Sequence, residues 1–481
     1  MSSPEIEAEE DNNRYFQQGQ LEETAASSFQ MLSSYNRALA RRTMINFVGM
    51  SILFSANHGC VVACLSLATA RLGSTGAWQS GILYLSYTAS AVLGATYAVK
   101  RLGARNALIT GMALYCIYVG CFLVATIVSS KAVETSAAFL GAAIGGIGAG
   151  FLWTAQGSYF SRAAEDHASD LGQAVSESNS TLASIFAFLY LAEEVALRGL
   201  SSLLIQLGWQ WNLVFGIYTL IALVSTLLMG FVYDYAANEE EDSQQQQQQL
   251  AASLNENLST AHSSSIYYKV TAAWQLLRND PKMKHMIGLN AVFGLTAAFL
   301  NSYINGEVVR TALHDDESKY VGIFNALVSC VAAFMSLVFG RVAPRIGNGP
   351  VLILGALCFL GVVLPFVLFP DTTKQWGVAL LVFVYSLHGT GRATFEGALK
   401  ATFADFFPYE KEGAFANIIL QNGLSGAIGY VLTFTLLCSK ESRYCVRYSD
   451  GSLHDVLSFE ILVFAAAVMA IVGYTRASAL H

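Results

Sequence analysis

Late in the chain His388, Arg392, Glu396 and Lys400 recur every four residues inside a run that is otherwise apolar. On an α-helix this spacing puts all four on one face and sets Arg392 and Glu396 at the i,i+4 distance of an ion pair. Charge in an apolar medium is costly, so such groups face partners, water or a cavity. A histidine among them is able to carry a proton near neutral pH. The row therefore offers charge pairing, proton exchange or capture of an ionic solute. The structural alternative is an ion pair that locks the chain, with His388 bonded to a neighbouring helix. A second set is uncharged. Asn57 and His58 in one apolar run and Asn301 and Asn305 in another supply donors and acceptors, suited to a polar solute and equally to joining helices. Gln156 and Asn422 add polar side chains to two further runs, whereas Glu193, Glu194 and Glu307 fall near the outer ends of theirs and are expected to be solvated.

Long apolar helices are needed to hold these residues. The chain has 481 residues, 54% hydrophobic and 13% charged, with mean hydropathy +0.46. That is more apolar side chain than a soluble protein buries. A helix needs ~20 residues to cross the hydrocarbon of a bilayer. Twelve segments meet this: 43–70, 76–99, 107–128, 137–159, 173–197, 211–233, 285–308, 320–339, 350–369, 376–398, 412–437 and 453–474. They are continuous runs, without the ~10-residue alternation of membrane strands. The expectation is an all-α transmembrane protein whose first partner is the lipid bilayer. Enzyme chemistry is not expected: no nucleophile with its base, no metal spacing and no phosphate loop is present, and nothing calls for a cofactor or for nucleic acid.

A loop occurs twice. Lys100-Arg101-Leu102-Gly103-Ala104-Arg105 follows the second run, and Arg341-Val342-Ala343-Pro344-Arg345-Ile346-Gly347 follows the eighth. Arg101 with Arg345 and Gly103 with Gly347 are each 244 positions apart, as are Asn46 with Asn290 and Asn57 with Asn301. Duplicated helical halves around a central cavity are the plan of many secondary transporters. The predicted organisation is a disordered tail (1–42), a six-helix half (43–233), a linker with polyglutamine and a basic amphipathic helix from Tyr268 to Met286 (234–284), a second six-helix half (285–474) and a short tail (475–481). Lysines and arginines crowd the face that carries both repeated loops, so the positive-inside rule makes that face, and both termini, cytoplasmic. The first run is too long and too deep for a secretory signal peptide and serves as the insertion signal. No address selects plasma membrane or endomembrane.

Six cysteines lie within runs and read as small packing residues. Cys438 and Cys445 bracket a predicted outer loop, where a disulfide is a candidate. Gly141, Gly145 and Gly148 are spaced for close helix approach in the fourth run.

The stretch from Gly145 to Tyr159, GGIGAGFLWTAQGSY, resembles the fourth helix of the uncoordinated ninety-three family, a branch of the major facilitator superfamily described as ion-channel regulatory proteins. FLNSYINGEVV from Phe299 to Val309 is similar to that family's seventh helix. HGTGRATFEG from His388 to Gly397 and GAFAN from Gly413 to Asn417 are similar to its tenth and eleventh. The resemblance covers about 42–474 and implies the twelve-helix major facilitator fold with two pseudo-symmetric six-helix halves. One departure concerns the cytoplasmic gate loops, here Lys100, Arg101, Gly103, Arg345 and Gly347. The wider superfamily places an acidic residue before the Arg-x-Gly turn, where this chain has Lys100 and, in the second copy, Pro344. The expected function is transporter-like movement of a small polar or ionic solute by rocking of the halves. The alternative is a non-transporting regulatory or trafficking subunit that binds an ion channel or receptor.

Overall fold

The computed structural model describes residues 4–234, 266–369, 376–407, 410–435 and 457–481, and every regular element among these is helical. The polyglutamine tract, Cys438 and Cys445 lie outside them. Six spans form the N-terminal half: Pro4–Leu72, Ser74–Leu93 continued by Ala95–Leu102, Ala104–Ile127, Lys131–Leu171, Val175–Gln206 and Trp211–Met229. A short helix, Ile266–Asn279, precedes the second half. Its spans are Pro281–Phe299 prolonged to Leu313, Val321–Ile346, Asn348–Leu368, Val378–Thr394 prolonged to Phe406, Lys411–Thr435 and Leu457–Ala479.

Nine of the described helices are long and apolar enough to cross a membrane. The other three spans fall short for visible reasons. Serines, threonines, tyrosines and Gln79 dilute the second, Glu193, Glu194 and Arg198 charge the fifth, and the tenth gives way to a π-helical segment after 17 residues.

Two boundaries differ from the sequence expectation. The first helix begins at Pro4 and runs through the segment expected to be disordered, whose glutamates, alanines and glutamines are good helix formers. The predicted amphipathic helix ends at Asn279, because the Asp280 side chain caps a new helix by accepting from the Lys282 amide at 2.7 Å, with Pro281 at its first position. The shortened helix is tied to the eleventh span, where Asn417 donates to the Ala273 carbonyl at 2.8 Å.

The chain divides into two compact units, one of residues 1–49 and 160–185 and one of 50–159 and 186–481. In the first, Phe47 meets Phe160 edge-on with ring centroids 5.8 Å apart. There Gly172, at φ +61°, turns the chain between the fourth and fifth spans, and the Ser178 hydroxyl bonds both Gln173 at 2.7 Å and His167 at 2.9 Å. The second unit holds the rest, including the duplicated loop. Gly103 (φ 78°, ψ 159°) and Gly347 (φ 84°, ψ 163°) share a conformation that is essentially glycine-only, and each amide closes the preceding helix by donating four residues back, to Val99 and Ala343. The repeat read from the letters is thus a repeat of backbone.

Small residues set the helix spacing. A methyl group on Gly148 would stand 2.9 Å from the Gly111 carbonyl, and Gly141 and Gly145 lie against Cys121 and Tyr118 of the same third span. Similar close approaches join the halves. Gly423 meets Thr88, Tyr84 stacks on Tyr430 at 5.6 Å, Gly322 abuts Ser201 and the Arg198 carbonyl, and Gly306 abuts Thr69. The seam is also hydrogen-bonded. Asn305 donates to the Ser66 carbonyl at 3.0 Å, the Ile323 amide to Ser202 at 2.9 Å, and the Trp211 indole to the Glu317 carbonyl at 3.2 Å. By chain order these contacts run from the middle of the spans to the end opposite the duplicated basic loops.

Candidate functional site

The fifth span supplies the residue around which the site is built. Glu194 is 1% exposed and ion-paired twice, to Arg198 one turn along its own helix at 2.9 Å and to Arg392 of the tenth span at 2.8 Å. The second pair joins the two halves. Eighth-span groups complete the shell: the Ser329 hydroxyl lies 3.3 Å from both Arg198 and Arg392, and the Asn325 carbonyl accepts from Arg198 at 3.2 Å. Arg392 also reaches the Tyr190 hydroxyl at 3.4 Å, which in turn lies 3.3 Å from His58 Nε2. One polar network therefore crosses from the first span to the tenth. Towards the basic end, Glu396 stands 3.9 Å from the Arg392 Nε and 2.8 Å from Lys400.

This network borders a cavity of about 350 Å³. Its walls are largely aromatic and come in two matching groups. In the N-terminal half His58 lies within 5.3 to 5.6 Å of the rings of Trp153, Tyr190 and Tyr115. In the C-terminal half His388 packs on Phe359 at 5.7 Å and on Phe293 at 6.5 Å, and Phe293 stacks on Phe395 at 3.9 Å. His388 is 4% exposed and neither of its ring nitrogens has a hydrogen-bond partner. The lining continues to Lys400 and Phe415, towards the basic end. Both π-helical segments, Leu300–Val308 and Phe395–Leu399, open onto the cavity through Leu300, Asn301, Phe395 and Glu396. Such segments are frequent at functional sites, since they re-aim side chains within an otherwise regular helix.

Of the residues singled out from sequence, His58, Asn301, His388, Arg392, Glu396 and Asn422 line the cavity. Three others do not. Asn57 is fully buried on another face, donating to the Ala222 carbonyl and the Thr226 hydroxyl, both at 3.0 Å, so that it ties the first span to the sixth. One residue turns a helix by about 100°, which separates Asn57 from His58. Asn305 belongs to the seam beside the cavity: it bonds Ser66, Asn325 at 3.1 Å and Tyr385 at 2.5 Å. Gln156 lies on the fourth span outside the lining. In the loops Arg101 and Arg345 are exposed, and the Lys100 side chain lies outside the described residues.

Two expectations are corrected. Glu194 is central, not solvated, because the fifth span continues past the predicted end at 197 to Gln206, so that Glu194 stands near the middle of the helix Val175–Gln206 and not near its end. The acid that chiefly pairs with Arg392 is accordingly Glu194 of the other half, and Glu396 is mainly the partner of Lys400. Arg198, Ser329 and Tyr190 were missed as well. The i,i+4 pair Glu194 and Arg198 carries the same signal as Arg392 and Glu396, and a longer fifth span would have exposed it.

Residues 42–430 match the family described as Major Facilitator Superfamily. Among curated proteins the chain is 24% identical over 337 residues to protein unc-93 homolog A of Bos taurus, covering 62% of this chain and 68% of that one. It is 28% identical over 173 residues to unc-93 homolog A of Mus musculus, covering 35% and 36%. Solved structures with the same fold include a peptide transporter POT mutant in complex with alafosfalin (TM-score 0.62, 13% identity, 92% of this chain and 98% of that one). A mutant of the nucleoside transporter NupG (0.60, 14%, 91% and 99%) and a D-xylose-proton symporter (0.58, 16%, 90% and 96%) match similarly. At these identities the likeness establishes the fold: twelve helices in two halves, in a multi-pass membrane protein. The chain belongs to the Major Facilitator Superfamily, and within it is similar to the unc-93 homolog A proteins.

Proposed function

We propose that this protein moves a small polar or ionic solute across a membrane by alternating access, with the solute held between the two halves near His58, Asn301, His388 and Arg392. The observation that carries the reading is the buried pair of Glu194 and Arg392, one residue from each half, at the wall of a cavity large enough for a small molecule. In this reading an ion pair that crosses the plane of rocking is broken and remade at every cycle, so that its partners are exposed in turn to the cavity. Intramembrane ionisable groups facing a cavity are expected in solute pathways. In this reading the basic end is cytoplasmic by the positive-inside rule, so that both termini and the linker at 234–284 are cytoplasmic too. The loops at Gly103 and Gly347 then act as gate hinges, with Arg101 and Arg345 on the cytoplasmic surface.

Single cysteines at Asn301 and His388, in a background without native cysteines, test the reading. Membrane-impermeant thiol reagents are expected to label both positions from the basic side in one state and from the opposite side in another. Labelling from one side under every condition overturns alternating access and leaves a non-transporting regulator of a channel or receptor.

A further inference from the structure

We propose that the ligand of this cavity is a small organic anion with a planar aromatic body, its carboxylate taken by the arginine pair and His388 and its ring held by the aromatic walls. The inference rests on the transport reading for its purpose, but on the geometry alone for its chemistry.

The first argument is charge. The formally charged side chains lining the cavity are Arg198, Arg392 and Lys400 against Glu194 and Glu396. Lys400 and Glu396 form one close pair at 2.8 Å. That leaves two guanidiniums sharing the carboxylate of Glu194, at 2.9 and 2.8 Å, with Glu396 only a more distant second partner of Arg392 at 3.9 Å, and three positive charges against two negative. A second anion is wanted there. Desolvated charge without a counter-ion is unstable, and a guanidinium pairs with a carboxylate through parallel charge-assisted hydrogen bonds. A cationic ligand would meet a net positive wall.

The second argument is His388. Its imidazole is nine-tenths buried at the wall with both nitrogens unpartnered, although a neutral imidazole carries one donor and one acceptor. It lies on the same helical face as Arg392, one turn away, so a carboxylate approaching the arginines comes within reach of a ring N–H. The third argument is the walls. Phe293 and Phe395 on one side and Trp153 and Tyr115 on the other present apolar ring surface. Of the lining asparagines, Asn301 accepts from Asn305 at 3.2 Å and Asn325 donates to it at 3.1 Å, so part of the hydrogen-bonding capacity that a sugar would use is already taken. A flat ring fits such walls by stacking, and 350 Å³ admits one small molecule.

The test is binding to the purified full chain in detergent, read as the ligand-induced rise in thermal unfolding temperature. The probes are phenylacetate, its neutral amide phenylacetamide, the cation phenethylamine, and acetate, which has the charge without the ring. Saturable binding of phenylacetate at least about tenfold tighter than any of the other three is expected, since a charge-assisted pair is roughly twice as strong as a neutral one. Arg198→Gln leaves one guanidinium on one carboxylate and should bring phenylacetate and phenylacetamide to within about twofold. If that variant does not fold, Lys400→Gln removes the same net charge at a half-exposed position and should reduce the same preference. The proposal is overturned if the amide or the amine binds as tightly as phenylacetate, if no probe gives a saturable shift, or if the folded variant keeps the full preference. Alternating cysteine labelling with no preference for phenylacetate would remove this ligand class and leave transport standing. Preference without alternating labelling would do the reverse.

Discussion

Two buried polar knots of this protein differ in what they join. Asn57 bonds the sixth span and, at 3.4 Å, the Met112 carbonyl of the third, so every partner lies in its own half. Glu194 bonds one arginine of its own helix and one of the opposite half. Both are conspicuous as polar residues in apolar helices, and by composition alone they are equivalent signals. Their partners distinguish them. A knot confined to one half adds rigidity that survives any rocking, while a knot across the halves is compatible with rocking only if something replaces the lost partner. The proposed anion is such a replacement, because it offers Arg392 a carboxylate while Glu194 retains Arg198.

Breaking the second knot should have the largest effect. Glu194→Gln leaves two arginines without their shared carboxylate, and removal of one member of a buried pair costs about 3–5 kcal/mol. The folded yield and the unfolding temperature in detergent are expected to fall sharply. Adding Arg198→Gln to that variant should recover part of the loss, since the unpaired charge is then halved. A double-mutant cycle that gave simple additivity would show that the three charges do not act as a unit.

Asn57→Ala is the matched change in the first knot. It removes a donor shared between Ala222 and Thr226 and is expected to cost about 1–3 kcal/mol, as for a buried hydrogen-bonding group left without its partner. Cysteine labelling at Asn301 and His388 should be unaltered from either side. Altered labelling would mean that Asn57 communicates with the cavity after all and would collapse the contrast.

The difference between the knots was only half legible in the sequence. Twelve spans, two halves and a cavity face on the tenth span follow from run length, a repeated loop and a four-residue period, all of which are local or single-offset patterns. What could not be read was which face of the first span looks inward. Asn57 and Asn301 share the 244-residue offset, yet the cavity is lined by His58 and Asn301. Asn301 stands within the π-helical segment Leu300–Val308, whose wider turn re-aims its side chain, while Asn57 stands in a regular α-helix, so strict offset and spatial equivalence part company there. Partner choice across helices is likewise invisible in a single sequence. Arg392 has a carboxylate four residues away, and nothing local says that a glutamate almost two hundred positions earlier lies nearer to it.

Between the two knots stands Asn305, a seam residue that crosses the halves without charge. Its bond to the Ser66 carbonyl closes the end opposite the basic loops, together with its links to Asn325 and Tyr385. Asn305→Ala removes about 1 kcal/mol of cross-half bonding, which shifts a two-state equilibrium by roughly fivefold. Labelling of a cysteine at Asn301 from the opposite side should rise by that factor, with unfolding temperature little changed. A fall in labelling would assign the seam the reverse role.

The smallest effect belongs to a pair that looks the same on paper. Glu307 and Arg310 lie 2.7 Å apart, closer than Glu194 and Arg392, but their side chains are 42% and 50% exposed, at the end of the seventh span opposite the basic loops. Water already solvates both charges there, and exposed pairs of this kind contribute about 0–1 kcal/mol. Glu307→Gln should therefore leave unfolding temperature and labelling within error of the parent, whereas Glu194→Gln should not. Sequence assigned both glutamates to solvent; only the depth of the helix separates them. If Glu307→Gln proved as damaging as Glu194→Gln, burial would not be what gives the central pair its weight, and the argument that its two arginines want a second anion would lose its premise.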